Sequence, residues 1–317
     1  MGEVLIIRPA YVEDVPNTVS NLTSATEAFS ASVLLNHFGN DQVTVVTNRE
    51  AVGLFRGIRN VRRALVYDHL ISAGLSQEHF DVLVNLEPLW EFCALAESVP
   101  AEQRFGFTLD EYGQEVVPLP GSEELLIFTR WMNKRRSLDR PMQELLYECV
   151  GARWQGEPYR VGIKPVVGEQ FDVGFNIQGD RGWLNKDWSE RRWRELEALC
   201  ERDYAISYSY QEYGDDLAHY VNWIASCRVV VTQDAIGLYL ALALGRRVVG
   251  LFGPTSPKCM HLYGLGEAVA PGISLGCIPC HELECRFRRS CVESISPSEV
   301  FAAVERQVQA APVDGND

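Results

Sequence analysis

Long apolar runs are missing from this chain. No stretch reaches the ~18 consecutive apolar residues that a membrane-crossing helix needs, so no transmembrane segment is expected. The opening Met1–Ala10 has neither the basic region nor the apolar core of a secretion signal and reads as a first strand. Basic charge is also scarce: 29 Lys and Arg stand against 43 Asp and Glu, a formal net charge of −14. Neutralising nucleic-acid phosphates needs a basic surface, so this balance argues against a nucleic-acid partner while leaving room for a local diphosphate pocket. No Gly-x-Gly-x-x-Gly follows a strand, which weakens a dinucleotide-dependent oxidoreductase, and there is neither a Walker loop nor a His-Glu-x-x-His. These absences lead to an expectation of a soluble, cytoplasmic protein.

What is present is enough apolar material, 46% of residues, to build two cores. At 317 residues the chain fits two domains of about 150 residues each. Apolar strand-like runs at Val4–Ile7, Val43–Val46, Val82–Leu86 and Leu125–Phe128 alternate with helical patterns. Ser24 and Glu27 form a capping box for a helix with the stripe Ala28, Ala31, Leu34, Leu35 and Phe38. After the Gly- and Pro-rich Gly151–Val167 a second alternating series begins at Phe171–Asn176 and runs through the helix Glu190–Glu201. The alternation predicts parallel, doubly wound sheets in two domains, 1–160 and 161–317.

The most informative stretch is Val229–Pro257, which reads as strand, turn, apolar helix, strand and loop. Asp234 is placed to cap the helix, and Gly245 to stop it. A unit of this kind brings a helix N-terminus and a strand-end loop to one sheet edge, where anions bind. The tail adds Cys277-x2-Cys280-x4-Cys285-x5-Cys291, then Ser296-Pro-Ser-Glu299 as a further capping box. Four thiols at this spacing suit a structural zinc, a mononuclear iron or an iron–sulfur cluster; unligated or reversibly oxidised thiols are the alternative. The other five of the nine cysteines (Cys93, Cys149, Cys200, Cys227, Cys259) lie in apolar or helical settings and read as reduced core residues.

Asp234 at the helix start, Ala243-Leu-Gly245 before the next strand, Phe252-Gly-Pro-Thr-Ser-Pro257 after it and the cysteine-rich ending resemble glycosyltransferase family 9, the ADP-heptose heptosyltransferases. The resemblance implies two facing Rossmann-like domains (the GT-B arrangement), the acceptor on the N-terminal half and a nucleotide-sugar such as ADP-heptose on the C-terminal half. It implies an inverting transfer to a saccharide, lipid-linked or protein hydroxyl, as in lipopolysaccharide or glycan assembly, at the cytoplasmic face of the inner membrane with peripheral contact.

Residue by residue, the resemblance brings Asp14 to the family's general base, a role that suits a carboxylate taking a proton from an attacking hydroxyl. Glu13 stands where the family has glycine. An acidic pair on a surface loop is the plainer reading. Asn185-Lys-Asp-Trp188 resembles the family's Lys-x-Trp-Pro, which makes Lys186 a point charge for the donor phosphates and the leaving nucleoside diphosphate. The family's Asp-(Ser/Thr)-Gly turn falls on Asp234, Ala235 and Ile236, with Gly237 one position late and Tyr239 in place of a histidine. Gly253, Pro254 and Thr255 complete the expected donor-binding set. With lysine and helix amides meeting the diphosphate, no catalytic divalent metal is expected. Ile236, Tyr239 and Glu13 leave a second expectation open, a degenerate member that binds nucleotide or sugar as a scaffold.

Overall fold

In a computed structural model the protein is described over residues 1–11, 24–130, 132–177, 183–202, 206–211, 216–273, 275–282, 284–287 and 289–310. It divides into two compact units, Met1–Ile163 and Lys164–Asp317.

The first unit is built on six strands: β1 (Glu3–Ile7), β2 (Gln42–Thr47), β3 (Val61–Val66), β4 (Phe80–Asn85), β5 (Ala101–Leu109) and β6 (Val116–Pro118). Their order is β3-β2-β1-β4-β5-β6, parallel except for the antiparallel β6. The chain starts in the middle of the sheet, moves to one side and then returns to the other, so the order reverses between β1 and β4. β1 is buried along Val4–Ile7 because it has a strand on each side and helices over its faces, the setting that favours an unbroken apolar run.

The second unit repeats the plan with β7 (Phe171–Asn176), β8 (Tyr208–Tyr210), β9 (Cys227–Gln233), β10 (Arg247–Leu251) and β11 (Gly266–Val269). The order is β11-β10-β9-β7-β8, all parallel, with the reversal between β7 and β9. Its core packs Val173, Phe175, Val229, Val231 and Val249 against Trp188, against Trp193 and Leu196 on the helix Glu190–Arg202, and against Val300 and Val304 on the closing helix. Both tryptophans are thus packing residues. The closing helix Pro297–Gln309 carries the expected reciprocal capping box between Ser296 and Glu299.

Three local expectations are corrected. Leu125–Phe128 belongs to the helix Glu123–Arg130, not to a strand. Two glutamates in its first turn suit a helix, and four apolar residues in a row are too short to decide the period. Ser24 does accept from the amide of Glu27 at 3.1 Å, but the Glu27 carboxylate turns away to Arg8 and Arg135 instead of closing the box. Asp234 does not cap its helix: Ile236–Ala243 begins after Ala235, which has extended backbone and no capping side chain.

Candidate functional site

The strand order of the second unit reverses between β7 and β9, and open α/β sheets bind ligands beyond the C-terminal strand ends at such a point. Gln233 reaches across to donate to the carbonyl of Ile177 at 3.3 Å. The Lys186 ammonium arrives at the same edge from the turn after β7. It donates to the Asp234 carbonyl at 2.6 Å, lies 3.9 Å from the Asp234 carboxylate and sits 4.3 Å from the centre of the Trp183 ring. Its side chain is only 8% exposed, so the charge is held in place by these partners. This contact also explains the missing cap: the Asp234 carboxylate faces a lysine, and the helix starts one residue later.

Beneath the first turn of that helix lies a buried polar cluster. Asn176 donates to the Thr232 hydroxyl at 2.8 Å and accepts from the Tyr220 hydroxyl at 3.1 Å. Gly237 sits directly above it, where a Cβ would stand 2.2 Å from Asn176 Nδ2 and 2.6 Å from the Tyr220 hydroxyl. The glycine is therefore required by close approach, and Tyr239, in the family's histidine position, is buried in the same helix.

The loop after β10 closes the edge. A Cβ on Gly253 would stand 3.0 Å from Val292 Cβ and 3.1 Å from Cys291 Sγ, and the Pro254 carbonyl accepts from the His281 amide at 2.8 Å. The cysteine-rich segment is thus wedged under the Gly253-Pro254-Thr255 loop. It is also laced to the Lys186 segment: Asn185 donates to the Glu282 carbonyl at 2.6 Å, Arg192 to the Glu293 carbonyl at 2.9 Å and Trp188 to the Ile295 carbonyl at 3.3 Å. Two buried oxygens at this edge, Thr255 Oγ1 and Gln233 Oε1, have no hydrogen-bond partner among the described residues. A buried polar atom without a partner is costly, and a ligand's polar groups would relieve it.

Cys277, Cys280, Cys285 and Cys291 are free thiols, partly buried. Burial pushes the Cys291 thiol up to about 11, and the proximity of Cys280, Cys285 and Cys277 adds to the shift. The four therefore lie close enough to influence one another, yet among the described residues no three His, Cys, Asp or Glu side chains converge on a metal-binding point. The other five cysteines are buried, in keeping with their apolar settings.

In the first unit Asp14 lies outside the described residues, as does Glu13. The described part of that edge, between β1 and β4, holds a chain of alternating charges. Arg8 donates to the Leu86 carbonyl at 2.6 Å and pairs with Glu27 at 3.2 Å and Glu87 at 3.8 Å, while Arg135 meets Glu27 at 3.6 Å. Arg135 is thereby committed to the interior. Burial raises the Glu87 carboxyl from 4.5 to about 7, against the opposing pull of Arg8 and of the Ala10 amide. The sequence reading missed Glu87, Asn176, Tyr220 and Trp183. A charged residue directly after the buried run Val82–Leu86 was the available signal for Glu87.

Two mainly parallel sheets, each reversing its strand order beside a charged strand end, define a Rossmann-like α/β protein. Comparison with known proteins narrows this. The family Glycosyltransferase family 9 (heptosyltransferase) matches residues 215–290. The lipopolysaccharide heptosyltransferase 1 of Pseudomonas aeruginosa is 28% identical over 127 residues, which cover 33% of this chain and 36% of that protein. The match thus spans about a third of that relative's length. Among solved structures, the ADP-heptose lipopolysaccharide heptosyltransferase II of E. coli aligns with TM-score 0.62 at 15% identity, covering 96% of this chain and 98% of that one. The iron-containing dodecameric heptosyltransferase TibC in complex with ADP-D-beta-D-heptose aligns with TM-score 0.56 at 13% identity, over 96% of this chain and 75% of that one. The chain carries the signature of glycosyltransferase family 9 between residues 215 and 290 and shares the heptosyltransferase fold over nearly its whole length.

Proposed function

We propose that this protein is an inverting glycosyltransferase that moves a sugar, a heptose by its relatives, from a nucleoside-diphosphate donor to a saccharide or other hydroxyl acceptor. The observation that carries the reading is the meeting of Lys186 with Asp234 at the β7/β9 reversal. Two residues far apart in sequence, each expected to bind the donor, come together there, and the buried Thr255 hydroxyl has no hydrogen-bond partner among the described residues. Lys186 offers a desolvated positive charge to the diphosphate, and that charge is worth most when the bond to the sugar breaks and negative charge builds on the leaving phosphate. Thr255 has a hydroxyl hydrogen for a phosphate oxygen, and the amides of Ala235–Gly237 lie at the positive end of a helix. Asp14 takes the proton from the acceptor hydroxyl as its oxygen attacks the anomeric carbon from the opposite face. Family resemblance supports that last assignment.

The proposal extends to a donor based on ADP, a lipopolysaccharide-type acceptor, and work on the cytoplasmic side with peripheral membrane contact. It assigns the first unit to the acceptor and the second to the donor. A structural zinc or iron on Cys277, Cys280, Cys285 and Cys291 is part of the same reading. Four soft thiol donors suit such an ion, and it would draw together thiols that do not converge as described. It has no part in the transfer.

Thermal denaturation against ADP-, GDP-, UDP- and dTDP-sugars tests the reading. An ADP-selective rise in Tm that disappears in Lys186→Ala is expected, because a ligand that binds only the native state stabilises it. No rise with any of the four would turn the assignment toward a scaffold.

A further inference from the structure

At the β1/β4 reversal the chain leaves β1 through a turn that few residues adopt unaided. Ala10 has φ 55°, a left-handed conformation that crowds any side chain with a Cβ. Side chains from two neighbouring strand ends hold it there. The Ala10 amide donates to Glu87 Oε2 at 2.6 Å, from just beyond β4. Asn48, just beyond β2, donates through Nδ2 to the Pro9 carbonyl at 2.9 Å and to the Ser24 carbonyl at 3.3 Å. The Ser24 amide donates in turn to the Ala10 carbonyl at 2.9 Å, so residues on both sides of 12–23 are joined at one neck. Asn48 and Glu87 are themselves fixed, Asn48 by the Ala51 amide at 2.8 Å and Glu87 by Asn85 at 3.1 Å through its own amide.

Holding a turn does not by itself call for a charge. A glutamine could accept from the Ala10 amide with far less desolvation cost than a carboxylate that is 2% exposed. The carboxylate is matched to Arg8, which is matched to Glu27 and through it to Arg135, so the alternation binds the turn to the helices that flank it. Such a network specifies one geometry at the expense of stability.

We propose that Glu87, together with Asn48, is a positioning residue for the transfer reaction: the pair fixes the exit turn of β1 and the neck at Ala10 and Ser24 between which the sequence carries Asp14. This rests on the reading of Asp14 as the base. Glu87 touches no reacting atom in this scheme. The groups facing it are Arg8 just after β1, Glu27 on the helix Ala25–Ser30, Tyr11 beyond the turn, and Cys93 on the helix Trp90–Ser98, whose thiol lies 3.8 Å from the Glu87 carbonyl. Its titration near neutrality makes the pH profile a useful readout.

The test compares the full-length wild type with Glu87→Gln, Glu87→Ala, Asn48→Ala and Asp14→Ala. ADP-heptose and a deacylated, heptose-deficient lipopolysaccharide core serve as the probe pair. Misplacing a catalytic group from a distance is expected to cost about tenfold or more in kcat for Glu87→Ala and Asn48→Ala, with KM for ADP-heptose within about twofold. Glu87→Gln is expected to recover most of kcat and to lose the inflection near neutral pH. Hydrogen exchange of the Ala10 and Ser24 amides is read alongside: both lose protection in Glu87→Ala and in Asn48→Ala, and ADP affinity stays at the wild-type value. An unchanged kcat in the Glu87 and Asn48 variants beside an inactive Asp14→Ala overturns the proposal and leaves the function standing. Wild-type protection of both amides in the variants overturns it as well. If the wild type does not turn over the probe pair, or Asp14→Ala stays active, the reading of function fails, while amide exchange still decides whether Glu87 and Asn48 hold the neck.

Discussion

Replacing Gly237 by alanine is the sharpest test of how the donor edge is built. The added Cβ would lie 2.2 Å from Asn176 Nδ2 and 2.6 Å from the Tyr220 hydroxyl, both far inside van der Waals contact. Asn176 cannot swing away freely, because it bonds to Thr232 on one side and Tyr220 on the other in a fully buried position. Either the helix Ile236–Ala243 lifts from the sheet or the polar cluster breaks. Overpacking of this kind costs about 1–3 kcal/mol, and each buried hydrogen bond lost adds about 0.5–1.5 kcal/mol. A better helix former in place of glycine returns at most about 1 kcal/mol. The expected net loss is therefore roughly 2–4 kcal/mol, measured as a lowered urea midpoint at unchanged slope. Lifting the helix also moves the Ala235–Gly237 amides, so ADP affinity should fall with stability. Asn176→Ser in the same background should restore part of both, and the coupling in that double-mutant cycle locates the clash. A loss below about 0.5 kcal/mol, the size of an ordinary surface change, would refute the close-approach argument.

Glu87 gives a second, independent signal. Its carboxyl is raised from 4.5 to about 7 in the folded protein, so between those values the native state holds the proton more tightly than the unfolded chain. Stability should fall by about 3 kcal/mol as pH rises from 4.5 through 7, and Glu87→Gln should flatten that slope in denaturant melts. Parallel curves for the two proteins would contradict the assignment. Lys186→Met, which keeps the packing on Trp183 and removes the charge, should weaken ADP binding by about tenfold or more, as expected for a lost charge-assisted bond, with calorimetry as the check. Gly106→Ala places a Cβ 1.9 Å from the Asn85 carbonyl at φ 91°, and purification should yield no folded protein. Elemental analysis of protein purified without chelator should find about one zinc or iron per chain, absent after all four Cys277, Cys280, Cys285 and Cys291 are changed to serine.

The strands were legible where burial on both faces produces unbroken apolar runs, as in Val4–Ile7, Val43–Val46 and Val229–Val231. Leu125–Phe128 has the same appearance over four residues, and only its acidic first turn marks it as a helix. Asp234 is the residue type expected at a helix start, and the type was misleading because Lys186, 48 positions away, engages the same residue. Gly237 looked displaced from the family pattern for a related reason. Its necessity comes from Asn176 and Tyr220, on a strand and a helix that precede it and that no local window includes. Glu87 left only a weak signal, because a lone glutamate after a strand reads as a solvated loop residue until its burial is known.

The wedge formed by Gly253, Cys291 and Val292 bears on how this protein could be rebuilt. The loop after β10, the Lys186 segment and residues 277–295 share hydrogen bonds and a contact at Gly253 so close that an added methyl group would press its neighbours aside by a few tenths of an ångström. They behave as one cassette. A chimera that imports only the Gly253–Thr255 loop from a relative, to change donor preference, would set a foreign surface on a native wedge. Under the proposed function, donor preference would move in blocks, and exchange of all three segments together is the smallest transplant that keeps the edge intact.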